Sequence, residues 1–190
     1  EQSYPFSMNV PGEYNIFNAL AAISVCKTMG LSIEDISHSL KMFSGVKRRF
    51  DIKIQNNDLM IIDDYAHHPV EVSSVIKAIK SNWDRRLLVI FQPHLFSRTK
   101  QFYKEFAEAL LNADFIFITE IFASREKLDT SVTSEKIGKY LKELNHNNVF
   151  NITTDTLITD VKNKYTKGDI ILTVGAGNIW RFADKLSESM

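Results

Sequence analysis

The sequence has little cysteine and no excess of either charge. Of its 190 residues only Cys26 is a cysteine, which excludes an intramolecular disulfide and a zinc finger. Lysine plus arginine and aspartate plus glutamate each total 23, so the formal net charge is zero. Nucleic acids and acidic membranes are usually bound by a basic surface, and we therefore expect neither as a partner. No apolar run reaches about 18 residues and no signal peptide is recognisable, so we expect a cytoplasmic protein.

Residues 1–47 show the pattern of two helices and no strand. Apolar residues recur at spacings of four and three along Glu13–Met29, which predicts a helix. Ser32 and Asp35 form the capping box of a second helix. A helical pair without a sheet is too little to form a domain. We therefore expect residues 1–47 to be the end of one domain and residues 48–190 to be a second domain.

From Phe50 onward, predicted strands alternate with predicted helices. Leu87–Phe91 and Ile170–Val174 are nearly continuous apolar runs, which are typical of parallel strands covered by helices on both faces. We therefore predict an α/β fold, with an open, mostly parallel, Rossmann-like sheet and helices on both of its faces. The predicted strands are 50–54, 59–62, 87–91, 114–119, 149–151 and 170–174, and the predicted helices are 69–81, 100–112, 134–144, 155–164 and 178–187.

Three polar segments follow predicted strands of this sheet. They are Asp63–Pro69, Gln92–Thr99 and Gly175–Asn178. Ligands of open α/β sheets bind outside the carboxyl ends of the strands, at a switch in strand order. The sequence therefore predicts that the three segments meet at one edge of the sheet and form a site there.

Each polar segment also has a plainer interpretation. Asp63, Asp64, His67 and His68 offer the oxygen and nitrogen atoms of a metal site, but one of the aspartates could instead cap the helix that starts at Pro69. The glycines of the last segment resemble half of a dinucleotide-binding fingerprint, and they equally suit a tight turn. From the residues alone, these alternatives stay open.

Arginines and amides form the other candidate groups. Arg98 lies four residues after His94, a pattern that favours binding of a carboxylate or phosphate over a solvated loop. Asn15 and Asn18 share one helix face and could bind the edge of an adenine or simply cap the helix. A basic triplet that ends at Arg49 stands where the two predicted domains join, either as a solvated hinge or as a phosphate clamp.

Five motifs occur in a fixed order and cover essentially the whole chain. They are Pro-Gly-x-x-Asn-x-x-Asn-Ala-Leu-Ala-Ala (Pro11–Ala22), Gly-Val-Lys-Arg-Arg-Phe (Gly45–Phe50), Asp-Asp-Tyr-Ala-His-His-Pro (Asp63–Pro69), Phe-Gln-Pro-His-x-x-Ser-Arg-Thr (Phe91–Thr99) and Gly-Ala-Gly (Gly175–Gly177). Together these motifs closely resemble the C-terminal part of the Mur ligase family, the ATP-dependent amino-acid ligases of peptidoglycan synthesis. The resemblance is strongest to the members that join L-alanine to UDP-N-acetylmuramate.

The resemblance has implications for the domains and the cofactors. It implies that residues 1–47 end the family's central ATPase domain and that residues 48–190 form its C-terminal Rossmann-like domain. It implies ATP and Mg²⁺ as cofactors, with Mg²⁺ ligands mostly upstream, and L-alanine and UDP-N-acetylmuramate as further partners. The sequence starts at Glu1 rather than methionine and contains no Gly-x-x-x-x-Gly-Lys-Ser/Thr. We therefore expect a fragment of a larger enzyme that is inactive alone.

The resemblance also implies roles for nucleotide-binding residues. Asn15 and Asn18 match the adenine contacts of the family. Arg49 matches its γ-phosphate arginine, and Asp64 matches its ribose-binding acid. Many members have histidine at the position of Tyr14, so this chain differs beside the nucleotide.

A second set of roles concerns the amino acid and the reaction. His67, His94 and Arg98 match the family's catalytic and substrate-binding region around the incoming amino acid and the acyl phosphate, with Arg98 as partner of the alanine carboxylate. Tyr65 lines the same loop. Many members have a second arginine at the position of Leu95, so Arg98 would act alone here, and we assign no metal ligand within the chain.

Two other functions remain as alternatives. One is a non-catalytic, Rossmann-like module that binds a nucleotide or another ligand. The other is a metal-dependent hydrolase built on Asp63, Asp64, His67 and His68.

Overall fold

The computed structural model describes residues 3–190, which fold around one six-stranded sheet with strand order β1-β2-β6-β3-β4-β5. The pair β1–β2 is antiparallel, and every other pair is parallel. The strands are β1 (Asp51–Gln55), β2 (Leu59–Asp64), β3 (Leu87–Phe91), β4 (Phe115–Ile118), β5 (Val149–Asn151) and β6 (Asp169–Val174). The helices are α1 (Glu13–Thr28), α2 (Ile33–Met42), α3 (Pro69–Asn82), α4 (Phe96–Leu110), α5 (Glu135–Glu143), α6 (Leu157–Lys164) and α7 (Trp180–Ser189).

Helices cover both faces of the sheet. Alternate residues of each strand point to opposite sides, and apolar side chains on both sides pack against helices. On β3, Leu87, Val89 and Phe91 face a core formed with α3, α4 and α5. Leu88 and Ile90 face a second core formed with α6 and α7. The open, mostly parallel α/β sheet with helices on both faces is therefore confirmed.

The predicted helical pair precedes the sheet as α1 and α2. Ser32 caps α2 by accepting a hydrogen bond from the Asp35 amide at 3.1 Å, as its capping-box pattern predicts. Helix α1 contains no buried residue, and Ile16 and Leu20 of its apolar stripe are 54% and 51% exposed. Neither these helices nor any other helix among residues 3–190 is long and apolar enough to cross a membrane.

Helix α4 starts four residues earlier than the sequence predicts. It begins at Phe96 rather than Lys100, and Arg98 therefore lies in its first turn and not in a loop. The Ser97 amide donates to a carboxylate oxygen of Glu126 at 3.1 Å, and the Ser97 hydroxyl contacts the other oxygen. This acceptor is 29 residues away in the chain, so no local pattern marks the true start of the helix.

Candidate functional site

The three polar segments meet at one edge of the sheet, as predicted. Strand β6 lies between β2 and β3, and its Val174 is in register with Asp64 on one side and with Phe91 on the other. The chain leaves all three strands at the same level. Sequence order and strand order also differ here, since the last strand inserts between the second and third, and this edge is the switch point of the sheet.

The glycines after β6 serve close packing. A side chain at Gly175 would approach the Gln92 carbonyl oxygen to 2.7 Å. A side chain at Gly177 would collide with the Gln92 side chain and would lie 2.6 Å from the Phe122 ring. The Gln92 amide in turn donates to Asn178 at 2.9 Å. These contacts favour the tight-turn interpretation of the segment over a dinucleotide fingerprint.

Asp63 and Asp64 are the last two residues of β2 and are buried. Asp63 accepts from the Thr173 hydroxyl at 2.6 Å and lies 3.4 Å from the Arg48 guanidinium. Asp64 accepts from the Phe50 amide at 2.7 Å and the Ala66 amide at 2.8 Å. Burial raises the pKa of Asp64 to about 6, although both amide hydrogen bonds lower it.

Neither aspartate caps α3, so that part of the sequence interpretation is wrong. Glu71, inside the first turn, accepts from the His67 and His68 amides at 2.9 and 3.1 Å. The chain turns into α3 through these bonds, and Pro69 occupies the first helical position.

The proposed metal ligands do not converge. Asp63 and Asp64 are taken up by the contacts above, and the His68 ring packs 5.2 Å from the Phe102 ring. Across residues 3–190, no group of three His, Cys, Asp or Glu side chains is placed to hold a metal ion. The metal-dependent hydrolase is therefore not favoured.

His67, His94 and Arg98 come together between the ends of β2 and β3. The two histidine rings are 5.8 Å apart in an edge-on arrangement. One terminal nitrogen of Arg98 lies 3.5 Å from Nδ1 of His94 and 3.4 Å from the His67 carbonyl oxygen, to which it donates. Tyr65 joins the group, with its ring 5.3 Å from the His67 ring. The structure thus unites the four residues that the family resemblance places on the amino-acid side of the site.

His94 is held as a neutral ring more readily than a free histidine. Burial lowers its pKa, and the positive charge of Arg98 lowers it further. The ring stacks on Phe122 at 5.9 Å, and the Phe122 amide donates to the Pro93 carbonyl oxygen at 2.8 Å. Phe122 and Glu126 belong to the loop after β4, and sequence reasoning missed both. Nothing in their local sequence marks them, because their contacts are made with a different strand end.

The nucleotide candidates line two adjoining cavities. Asn15, Asn18 and Arg49 line one of about 510 Å³, which is within the usual range of small-molecule sites. Asn18, Arg49 and Asp64 line another of about 290 Å³. The structure therefore brings Asn18, Arg49 and Asp64 to shared walls. Asn15 is partly engaged in the helix start, since its amide donates to the Pro11 carbonyl oxygen at 2.7 Å.

Tyr14 lines both of these cavities. Its hydroxyl is buried and has no hydrogen-bond partner within residues 3–190. Burial raises its pKa to about 12, and the negative charge of Asp64 raises it as well. A donor without a partner is thus present where many members of the resembled family have histidine.

The two groups of candidates are joined through Tyr65. The Arg49 guanidinium lies 5.8 Å from the centre of the Tyr65 ring, and the Arg48 guanidinium lies 4.8 Å from it. Arg48 is turned towards the sheet edge, whereas Arg49 is exposed and lines the cavities. Only one arginine of the basic triplet therefore faces the space where a phosphate could bind.

Comparisons with known proteins show which family the chain resembles. Residues 48–177 match the family model described as "Mur ligase, glutamate ligase domain". The chain is 40% identical over 189 residues to a UDP-N-acetylmuramate–L-alanine ligase of Geotalea daltonii, covering 97% of this chain and 40% of that protein. It is 41% identical over 179 residues to a ligase of the same name from Carboxydothermus hydrogenoformans, covering 94% and 39%.

A solved structure of a ligase of this kind is also similar to the chain. The chain superimposes with a TM-score of 0.81 on the UDP-N-acetylmuramate-alanine ligase of Thermotoga maritima, at 28% identity, covering 98% of this chain and 40% of the other. The chain thus spans about 40% of the length of the relatives that it matches. Because a family model matches more than half of its residues, the chain belongs to the Mur ligase family.

Proposed function

We propose that this chain is the C-terminal part of a UDP-N-acetylmuramate–L-alanine ligase. The observation that carries the proposal is the pairing, at one sheet edge, of the His67–His94–Arg98 cluster with the cavities that Arg49 lines. The names of the relatives at about 40% identity support the choice of substrates. The complete enzyme would act in peptidoglycan synthesis and in the cytoplasm.

The proposed reaction is an ATP-dependent amide formation. The lactyl carboxylate of the muramic acid attacks the γ-phosphorus of ATP, which forms an acyl phosphate and releases ADP. The amine of L-alanine then attacks the acyl carbon, loses a proton, and expels phosphate. A carboxylate is a poor acyl donor until it is phosphorylated, and cationic groups stabilise the charge on the transferring phosphoryl group.

The amino-acid side of the site is built on Arg98. Its guanidinium would form a paired hydrogen bond with the alanine carboxylate, for which a planar fork is suited. His94 beside it has a lowered pKa, and a neutral ring adds no second charge to compete for that carboxylate. His67 completes the pocket and would contact the acyl phosphate when substrates are bound.

The nucleotide side of the site is built on α1 and the connection before β1. Asn15 and Asn18 would bind the adenine, since an amide offers both a donor and an acceptor. Asp64 would bind the ribose, and Arg49 would meet the γ-phosphate. The exposure of Arg49 supports its role, because its charge is available to a ligand.

Magnesium is part of the proposal only for the complete enzyme. Among residues 3–190, no group of three His, Cys, Asp or Glu side chains is placed to hold a metal ion. Mg²⁺ is commonly held by one or two carboxylates together with substrate phosphates. We place most of its ligands in the part of the enzyme that precedes this chain. When bound, the ion would offset the negative charge of the phosphates.

The domain boundary between residues 47 and 48 is also proposed. The family match starts at residue 48, which supports it. The exposed apolar residues of α1 support the assignment of residues 1–47 to a different domain, the central ATPase domain.

The experiment that tests this function uses the complete protein, with the preceding segment supplied. We expect ADP release that requires L-alanine and UDP-N-acetylmuramate together, and no release from the 190-residue chain alone. ATP binding without substrate-dependent ADP release would support a non-catalytic nucleotide-binding module instead. If the complete protein accepted glutamate and did not accept L-alanine, the substrate assignment would be contradicted.

Arg98→Ala in the complete protein tests the amino-acid site. We expect the KM for L-alanine to rise roughly 10- to 100-fold, because hydrogen bonds to charged groups contribute about 1.5–3 kcal/mol. The KM for ATP should change less than about twofold, since Arg98 lines neither of the cavities that Arg49 lines. Arg98→Lys keeps the charge without the fork and should give an intermediate rise. Equal increases of both constants in Arg98→Ala would refute the role.

A further inference from the structure

The connection between α2 and β1 contains an unusual bend. Arg48 and Phe50 have φ angles of 63° and 51°, in the left-handed region that residues with side chains rarely adopt. The Arg49 amide donates to the Val46 carbonyl oxygen at 3.0 Å, which tightens the bend. Two left-handed residues on either side of one arginine persist only where surrounding contacts enforce them.

Arg48 makes most of those contacts. One terminal nitrogen donates to the Gly175 carbonyl oxygen at 2.7 Å, and its Nε donates to Asp63 at 3.4 Å. Its own carbonyl oxygen accepts from the Tyr65 amide at 2.7 Å. Arg48 therefore links the bend to the end of β2 and to the loop after β6.

Two aspartates hold the backbone of the bend, and the Arg48 amide donates to one of them, Asp51, at 3.2 Å. Asp64 accepts from the Phe50 amide at 2.7 Å, so both left-handed residues are fastened to the carboxyl end of β2. Arg49, between them, has its side chain exposed, and this side chain lines the two cavities with Asn18. The hydrogen bonds of Arg48 and Phe50 therefore determine the direction in which the Arg49 side chain points.

We propose that Arg48 is a positioning residue, whose bonds to Asp63 and to the Gly175 carbonyl hold the bend that directs Arg49 towards the nucleotide phosphates. The proposal rests on the proposed function, because it takes Arg49 as the phosphate-binding arginine. Arg48 itself lines neither of these two cavities. Its effect on ATP should therefore depend entirely on the presence of Arg49.

A double-mutant cycle on ATP binding tests this dependence in the complete protein. The variants are Arg48→Met, Arg49→Ala and both together, and the readout is the dissociation constant of ATP, measured without turnover. We expect Arg48→Met to weaken binding about tenfold, and Arg49→Ala at least as much. The double variant should bind ATP within about twofold of Arg49→Ala. A double variant in which the two losses multiply would overturn the proposal, because independent sites are additive.

Arg86→Met is the matched control. Arg86 also pairs with a buried aspartate of the same sheet, Asp169, at 2.7 Å, but at the amino end of the strands. We expect it to lower the Tm in a similar way to Arg48→Met while it changes ATP affinity less than twofold. If Arg86→Met weakens ATP binding as much as Arg48→Met, the effect of Arg48 is a general loss of stability and the proposal is wrong.

A second variant covers the case in which Arg48→Met does not fold. Arg48→Lys keeps the charge beside Asp63 but cannot bond both acceptors with one planar group. With Arg49 present, we expect Arg48→Lys to weaken ATP binding three- to fivefold. In the Arg49→Ala background, Arg48→Lys should leave ATP binding unchanged. Unaltered ATP affinity of Arg48→Lys with Arg49 present would refute the positioning role. Because binding is measured separately, a complete protein that binds ATP but forms no amide would contradict the proposed function and leave this test readable.

Discussion

The sheet and the helical pair use apolar side chains in opposite ways. All six residues of β6 are buried, between neighbours on both sides and helices on both faces. None of the 16 residues of α1 is buried, although its sequence contains an apolar stripe. A surface helix normally packs such a stripe against a core. Among residues 3–190, therefore, stability comes mainly from the sheet, whereas α1 has no fully buried residue and packs against the core through partly buried Tyr14.

The difference also separates two kinds of candidate residue. Asp63, Asp64 and Gln92 are fixed by buried hydrogen bonds at the sheet edge. Asn18 is exposed on α1, where its only side-chain partner among residues 3–190 is Asn15, at 3.3 Å. The candidates at the sheet edge, Asp64 among them, are thus preorganised by the sheet. The proposed adenine contact Asn18 depends on a helix with little support in this chain.

The largest effect should come from a matched pair of leucine substitutions in the two regions. Leu172 in β6 is fully buried, and Leu172→Ala should lower the free energy of unfolding by about 2–5 kcal/mol through lost burial and a cavity. Leu20→Ala in α1 should change it by less than about 0.5 kcal/mol, since that side chain is half exposed. Urea unfolding of the chain measures both. Similar losses for the two would show that α1 is part of the core.

A smaller effect is expected from two glycine substitutions that test how rigid the sheet edge is. The added methyl of Gly177→Ala meets buried Gln92 and the Phe122 ring, so we expect a loss of about 1–3 kcal/mol. Gly138→Ala in α5 meets only the end of the exposed Asn151 side chain, at 2.8 Å. There the gain in helix propensity should offset the contact and leave stability unchanged or higher. The comparison fails if Gly177→Ala is tolerated equally well in urea unfolding.

The smallest effect concerns the charge of His94. In the folded chain its pKa lies below 6.5, because of burial and then the charge of Arg98, so the unfolded chain binds more protons between the two values. Stability from this residue is therefore gained as the pH rises from the folded pKa to 6.5, and lost on acidification. A histidine NMR titration should place the midpoint of His94 below 6.5, and Arg98→Ala should move it upward. A midpoint above 6.5 in the wild-type chain would contradict the contacts described for this ring.

Much of the fold could be predicted from local patterns. The apolar runs at Leu87–Phe91 and Ile170–Val174 identify strands because a parallel strand is buried on both faces, and both are strands in the structure. The meeting of the three polar segments followed from the general rule for open sheets. The structure unites His67, His94 and Arg98 as that rule requires.

What could not be predicted depends on contacts between distant residues. The start of α4 is determined by Glu126, and the stacking of His94 depends on Phe122, both from the loop after β4. The different directions of Arg48 and Arg49 are invisible in a run of basic residues. They follow from Asp63 and Gly175, which approach the bend only after the sheet has formed.

The most direct test of the central claim follows an oxygen isotope through the reaction of the complete protein. UDP-N-acetylmuramate labelled with heavy oxygen in its lactyl carboxylate is incubated with ATP and L-alanine, and the released phosphate is analysed by mass spectrometry. If the carboxylate is activated as an acyl phosphate, one labelled oxygen passes to each phosphate as the amide forms. Phosphate released without label alongside the amide would contradict the account.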